Sequence, residues 1–141
     1  MFTLNSPKET FEYGKKLAAK LNGGDILLLS GELGAGKTSL VKGIAKGLGV
    51  KREITSPTFT LLNIYKIKNS KIKNLVHIDT YRLKDEKELL EIGVEDYFGK
   101  SNTVCIIEWP EKISGLLKKY RTSTITLEHG NKPEQRKIQT S

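Results

Sequence analysis

The stretch that most constrains this chain is Ile26-Leu27-Leu28-Leu29-Ser30 running straight into Gly31-Glu32-Leu33-Gly34-Ala35-Gly36-Lys37-Thr38. An apolar run of strand length is followed by G-x-x-x-x-G-K-T, and residues 39–48 carry a helical pattern of apolar positions. Strand, glycine-rich loop and helix in that order are what a phosphate-binding P-loop requires. Gly31, Gly34 and Gly36 permit backbone angles closed to other residues, so consecutive N–H groups can converge on phosphate oxygens. A helix starting near Lys37 adds the positive end of its dipole. Lys37 supplies a mobile ammonium for β- and γ-phosphates, and the Thr38 hydroxyl is placed to ligate Mg²⁺. The loop predicts a nucleotide site made by Glu32, Leu33, Gly34, Ala35, Gly36, Lys37, Thr38 and Ser39.

The remainder reads as one domain over residues 1–141, long enough for a substantial core. Ser6-Pro7-Lys8-Glu9 has the form of a helix start, with Ser6 as N-cap and Glu9 closing a capping box. Phe11, Gly14, Leu17, Ala18 and Leu21 then share a face, and Asn22-Gly23-Gly24 ends the helix. The helix after the loop turns Leu40, Val41, Ile44, Ala45 and Leu48 inward. Strands are expected at residues 60–67, around a turn at Lys68-Asn69-Ser70-Lys71, and at 74–79 and 103–108. Short helices are expected near 85–92 and 110–118, and a closing hairpin at 122–127 and 135–139. This order predicts an α/β, three-layer P-loop NTPase-like domain: a mixed, partly parallel central sheet flanked by helices.

A P-loop ATPase also needs a carboxylate at the end of a buried strand. Asp79 ends one apolar run and Glu108 ends another, so both are expected at the carboxyl edge of the sheet. One would anchor Mg²⁺ while the other orients or deprotonates the attacking water; the residues themselves do not divide these roles. Arg82 could reach a γ-phosphate or pair with the acidic segment after it. His77, on the face opposite Ile78, is read as a structural histidine, and Trp109-Pro110 as packing in preference to an aromatic wall near the site.

The net charge is +8, unevenly spread. Residues 79–111 hold nine Asp/Glu against four Lys/Arg, and residues 112–141 hold seven Lys/Arg against two Glu. Such basic segments are either solvated surface or a face for RNA or an acidic partner. Cys105, a lone cysteine in an apolar run, reads as a small buried hydrophobe. No signal peptide and no membrane-spanning run is evident, so the expectation is a cytoplasmic protein, monomeric when alone.

Four segments together resemble one family: the P-loop, Thr55-Ser56-Pro57-Thr58-Phe59, His77-Ile78-Asp79-Thr80-Tyr81-Arg82-Leu83, and Ile107-Glu108-Trp109-Pro110-Glu111. The chain resembles the bacterial TsaE (YjeE) ATPases over residues 6–127. The resemblance implies an ATP- and Mg²⁺-using subunit in the synthesis of N6-threonylcarbamoyladenosine at tRNA position 37. The family acts on the TsaD–TsaB heterodimer, resetting it between turnovers, with tRNA reached indirectly or through a basic face. Carried onto this chain, Thr38 and Glu108 match Mg²⁺ ligands, and Asp79 matches an acid implicated in hydrolysis. Thr10 matches a residue near the nucleotide base, and residues 55–59 match a switch-like loop. A Gly-Arg-Arg-like C-terminal stretch of the family is absent here, five residues separating Gly130 from Arg136.

Two rivals have sequence features of their own. A small-molecule kinase needs an acceptor pocket and a lid, and the candidate lid at 80–99 is acidic. A GTPase-like switch finds a partial guanine-reading motif in Asn131-Lys132-Pro133-Glu134. There Glu replaces the usual Asp, and Asp79-Thr80-Tyr81-Arg82 lacks the glycine that a GTPase carries.

Overall fold

The computed structural model describes residues 1–32, 34–57, 61–68 and 70–141. The expectations for Leu33, for Thr58, Phe59 and Thr60, and for Asn69 lie outside the described residues. In chain order the elements are β1 (Phe2–Leu4), α1 (Pro7–Ala18), β2 (Ile26–Ser30), α2 (Lys37–Leu48), β3 (Leu62–Lys66), β4 (Asn74–Asp79), α3 (Lys87–Glu91), β5 (Thr103–Glu108), α4 (Ser114–Leu117), β6 (Ser123–His129) and β7 (Arg136–Thr140). The seven strands form one sheet in the order β1-β7-β6-β2-β5-β4-β3. The four central strands β6, β2, β5 and β4 run parallel, while β3 joins β4, β7 joins β6, and β1 joins β7, each in antiparallel fashion. The sheet is therefore mixed and partly parallel, as the element order predicts.

Side-chain alternation along the central strands separates the core into two layers. Leu27 and Leu29, Leu75, Val104 and Ile106, and Ile125 and Leu127 face α1 and α2, packing on Ala18, Leu40, Val41, Ile44 and Ala45. Ile26 and Leu28, Val76 and Ile78, and Cys105 and Ile107 face the other way, under Leu89, Val94, Phe98, Ile113 and Leu116. Each such side chain contributes about 1.5–3 kcal/mol through burial. Because β2, β4 and β5 are parallel, their carboxyl ends share one edge, and Ser30, Asp79 and Glu108 arrive there together.

Helix α1 begins as its sequence indicates. Ser6 Oγ accepts from the Glu9 amide at 3.1 Å, and the Glu9 carboxylate reaches back to the Asn5 amide at 2.7 Å, one residue before the cap. The helix ends at Ala18, ahead of the glycine pair expected to stop it. It lies close on α2 because two glycines remove the side chains between them. A Cβ on Gly43 would collide with the Phe11 carbonyl oxygen, and one on Gly14 would lie 2.6 Å from that of Leu40. Gly43→Ala is expected to destabilise the chain by about 1–3 kcal/mol through overpacking. A urea midpoint unchanged from the parent would show that the helices can part at no penalty.

Several boundaries differ from expectation. The N-terminal Phe2–Leu4 forms an edge strand on β7 that alternation in so short a segment did not signal. The strand before the Lys68 turn starts at Leu62, after a residue, Leu61, with φ of +66°. In the acidic segment only Leu89 of the helix is buried; Leu90 and Ile92 are exposed. The segment after Trp109 is a 3₁₀ turn (Pro110–Ile113) continuing into α4. Strand β6 extends to His129, two residues past its expected end. Among the described residues, no helix is long and apolar enough to cross a membrane.

Candidate active site

The loop between β2 and α2 has the backbone its glycines were expected to provide. Gly31, Gly34 and Gly36 have φ of +148°, +79° and +95°. Gly36 is the N-cap of α2, so the helix opens at Lys37 with its first amides directed toward the loop. A Cβ on Gly31 would come 2.5 Å from the Leu127 carbonyl oxygen of the neighbouring strand, so both conformation and space demand glycine there.

A cavity of about 380 Å³ opens at this helix start, along the carboxyl edge of the sheet. From the loop and α2 it is lined by Gly34, Gly36, Lys37, Thr38 and Ser39, and from β4 and β5 by His77, Asp79 and Glu108. Thr10 of α1 and Arg136 of β7 close it on the far side. Lys37, Asp79, Glu108, Thr38, Ser39, Gly34, Gly36 and Thr10 are therefore gathered as the sequence suggested. Glu32 and Ala35 do not line this cavity: Glu32 borders a second one beyond Trp109, and Ala35 is fully buried. Ser56 lines the cavity from the 55–57 segment and Ile54 from just before it, whereas Thr55 is held away through hydrogen bonds with Tyr65 and Asn63. Arg82 is exposed and does not line the cavity.

The strand register explains how the acids meet. Asp79 and Glu108 are direct partners across β4 and β5, so their side chains leave the same face, the one that covers α2. His77 is two residues before Asp79 on that face, and its Nε2 is 2.6 Å from Glu108 Oε2, with both residues almost wholly buried. The Thr80 hydroxyl stands 3.0 Å from the Glu108 carbonyl oxygen and 2.6 Å from that of Trp109, tying the two strand ends together. Asp79 Oδ1 accepts from the Tyr81 amide at 2.9 Å, which fixes the carboxylate over the turn.

Lys37 holds two partners inside the site. Its Nζ donates to the Gly31 carbonyl at 2.6 Å and lies 3.6 Å from the centroid of the Trp109 ring. Burial pushes the ammonium below the ordinary lysine value, while the carboxylates of Glu108, Asp79 and Glu111 pull it back up. Trp109 holds a left-handed backbone, φ +60°, and its ring also meets Tyr81 at 4.9 Å. The tryptophan is thus a wall of the site rather than simple packing.

His77, Trp109 and Arg136 were not singled out as site residues. The first two were visible as neighbours of the strand-end acids, but residue type alone did not turn them inward. Arg136 was noted only against the family's Gly-Arg-Arg-like stretch, with no role assigned to it. The β6–β7 hairpin brings it across the sheet, where its Nη2 donates to the Gly34 carbonyl at 3.0 Å. Its Nη1 holds the Pro133 and Gln135 carbonyls, and its buried Nε has no partner among the described residues.

At the helix start and the strand ends the cavity presents hard oxygen donors, among them the Thr38 hydroxyl and the carboxylates of Asp79 and Glu108. Among the described residues, no group of three or more His, Cys, Asp or Glu is arranged to hold a metal by itself. That donor set suits Mg²⁺ held by one or two protein oxygens together with phosphates and water, and does not suit an all-protein cage.

Sheet order, loop geometry and cavity define an α/β domain of the P-loop NTPase type. A family model described as "Threonylcarbamoyl adenosine biosynthesis protein TsaE" matches residues 4–138. Proteins named tRNA threonylcarbamoyladenosine biosynthesis protein TsaE are similar over most of the chain. That of Bacillus subtilis is 40% identical over 126 residues, covering 89% of this chain and 76% of its own length. That of Treponema pallidum is 42% identical over 123 residues and 86% of each chain, and that of Rickettsia typhi 45% identical over 118 residues, 83% of this chain and 78% of its own. The crystal structure of Bacillus subtilis YdiB superposes with a TM-score of 0.74 at 33% identity, covering 97% of this chain and 80% of that one. The chain belongs to the TsaE family.

Proposed function

We propose that this chain is an ATP-binding, Mg²⁺-dependent ATP-hydrolysing subunit required for threonylcarbamoyl modification of adenosine 37 in tRNAs reading A-starting codons. It acts in the cytoplasm as a single-domain monomer that engages the TsaD–TsaB complex and resets it between turnovers. One observation carries the reading: Lys37, Thr38, Asp79 and Glu108 line one cavity at the N-terminus of α2.

The loop amides and the start of α2 would take the β-phosphate, where fixed donors and the helix dipole favour an anion. Lys37 would exchange the Gly31 carbonyl and the Trp109 face for phosphate oxygens. Thr38 and Glu108 would hold Mg²⁺, which when bound neutralises charge on the β- and γ-phosphates. Asp79, fixed by the Tyr81 amide, would orient the attacking water. Thr10 would lie near the base. In the assembly, raising salt is expected to weaken association with the tRNA-charged TsaD–TsaB complex, reflecting the basic 112–141 segment. A flat salt response leaves those charges as solvated surface.

The GTPase-like reading retains one observation: β6 runs to His129, close to Asn131, and Glu134 lines the cavity. Calorimetric titration with ATP and GTP, each with Mg²⁺, separates the two. Tight ATP binding with weak GTP binding is expected, and a wide preference for GTP would overturn the ATPase reading.

A further inference from the structure

Among the described residues, the buried ion-pair contact is the imidazole–carboxylate one between neighbouring strands, at a site whose proposed chemistry does not require a histidine. His77 is 3% exposed and Glu108 7%, and the 2.6 Å contact between Nε2 and Oε2 is short for this kind of hydrogen bond. Within the described residues His77 Nδ1 is buried and has no partner. A histidine retained merely to fill the core would be expected to satisfy both ring nitrogens. Here the ring satisfies one, and that one is spent on Glu108.

The terminal torsion of a glutamate is broad, so nothing intrinsic to Glu108 fixes the plane of its carboxylate. A carboxylate oxygen accepts and a ring N–H donates, so the contact ties one oxygen of Glu108 to Nε2. Oε2 is then committed to the ring. Oε1 takes no hydrogen bond from the described residues and is available to the cavity that Glu108 lines.

We infer that His77 is a positioning residue: it clamps Glu108 Oε2 so that Oε1 faces the cation of a metal–nucleotide complex. The cross-strand register makes the clamp possible, because His77 pairs with Ile106 and so stands diagonal to Glu108 on the same face. The inference rests on the nucleotide–Mg²⁺ reading above. It predicts that metal affinity in the nucleotide complex depends on a donor reaching Glu108 at the position of Nε2.

Two substitutions differ in reach. His77→Gln places an amide nitrogen about where Nε2 lies, whereas the amide of His77→Asn stops one bond short. The probe is Mn²⁺ with ADP, read by electron paramagnetic resonance as bound against free Mn²⁺, with ADP affinity in EDTA as the metal-free control. The expected result is a loss of Mn²⁺ affinity of about 10–100-fold in His77→Asn, most of it restored in His77→Gln, with metal-free ADP affinity unchanged in both. Equal Mn²⁺ affinity in the Asn variant and the parent, or equal losses in the Asn and Gln variants, would overturn the positioning role while leaving the nucleotide reading intact. A parent protein that retains no Mn²⁺ with ADP would overturn both.

Discussion

Lys37→Ala is expected to reduce ATP hydrolysis by about 10²–10³-fold, the loss seen when one fixed donor to developing charge is removed. Its ammonium is the one cation among the loop and α2 residues that line the cavity, and it is nearly buried between the Gly31 carbonyl and the Trp109 ring. In water such a charge would be screened; buried in the cleft, its field would act on the phosphates at closer to full strength. The effect should appear in both affinity and turnover, because a lysine at this point of a P-loop touches the phosphates before and during reaction. Circular dichroism and a urea melt establish that the variant is folded. Hydrolysis at the parental rate in a folded Lys37→Ala protein would remove the loop from the mechanism.

The second large effect is expected at the strand ends. Glu108→Gln and Asp79→Asn each keep size and hydrogen-bonding shape while removing charge, and each should lower turnover by about 10²–10⁴-fold. ATP affinity should fall far less, since the loop amides and Lys37 hold the nucleotide without them. The two variants should also differ from each other. Glu108→Gln alters a proposed Mg²⁺ ligand, so added Mg²⁺ should recover part of its activity; Asp79→Asn should show no such recovery. Steady-state kinetics over a range of Mg²⁺ concentrations reads both effects. Parental turnover in the two variants would place the carboxylates outside the reaction.

Much of this architecture was legible because local and global signals agreed. The apolar runs before Ser30, Asp79 and Glu108 became parallel strands with a common edge, and the inward set Leu40, Val41, Ile44, Ala45 and Leu48 is buried in α2. Periodicity identifies such elements, since burial on one face imposes it. What periodicity does not carry is pairing. Nothing in Phe2–Leu4 announces a partner more than 130 residues away in β7, and the same is true of Arg136, delivered to the P-loop by its hairpin. His77 alternates with Ile78 and so was rightly placed on the opposite face. Which neighbour it would meet there depended on the β4–β5 register, a tertiary property. Trp109 was taken for packing because an aromatic after a buried strand usually packs; its left-handed backbone turns the ring to Lys37 instead.

The cavity is proposed to hydrolyse ATP in the service of a partner complex. The measurement that tests it most directly is ATP hydrolysis by this chain alone and with the purified TsaD–TsaB pair, with Lys37→Ala as the control in both settings. Weak turnover alone, strong stimulation by the pair, and loss of that stimulation in Lys37→Ala are expected. Turnover that the pair leaves unchanged, or stimulation that survives Lys37→Ala, would contradict the proposal.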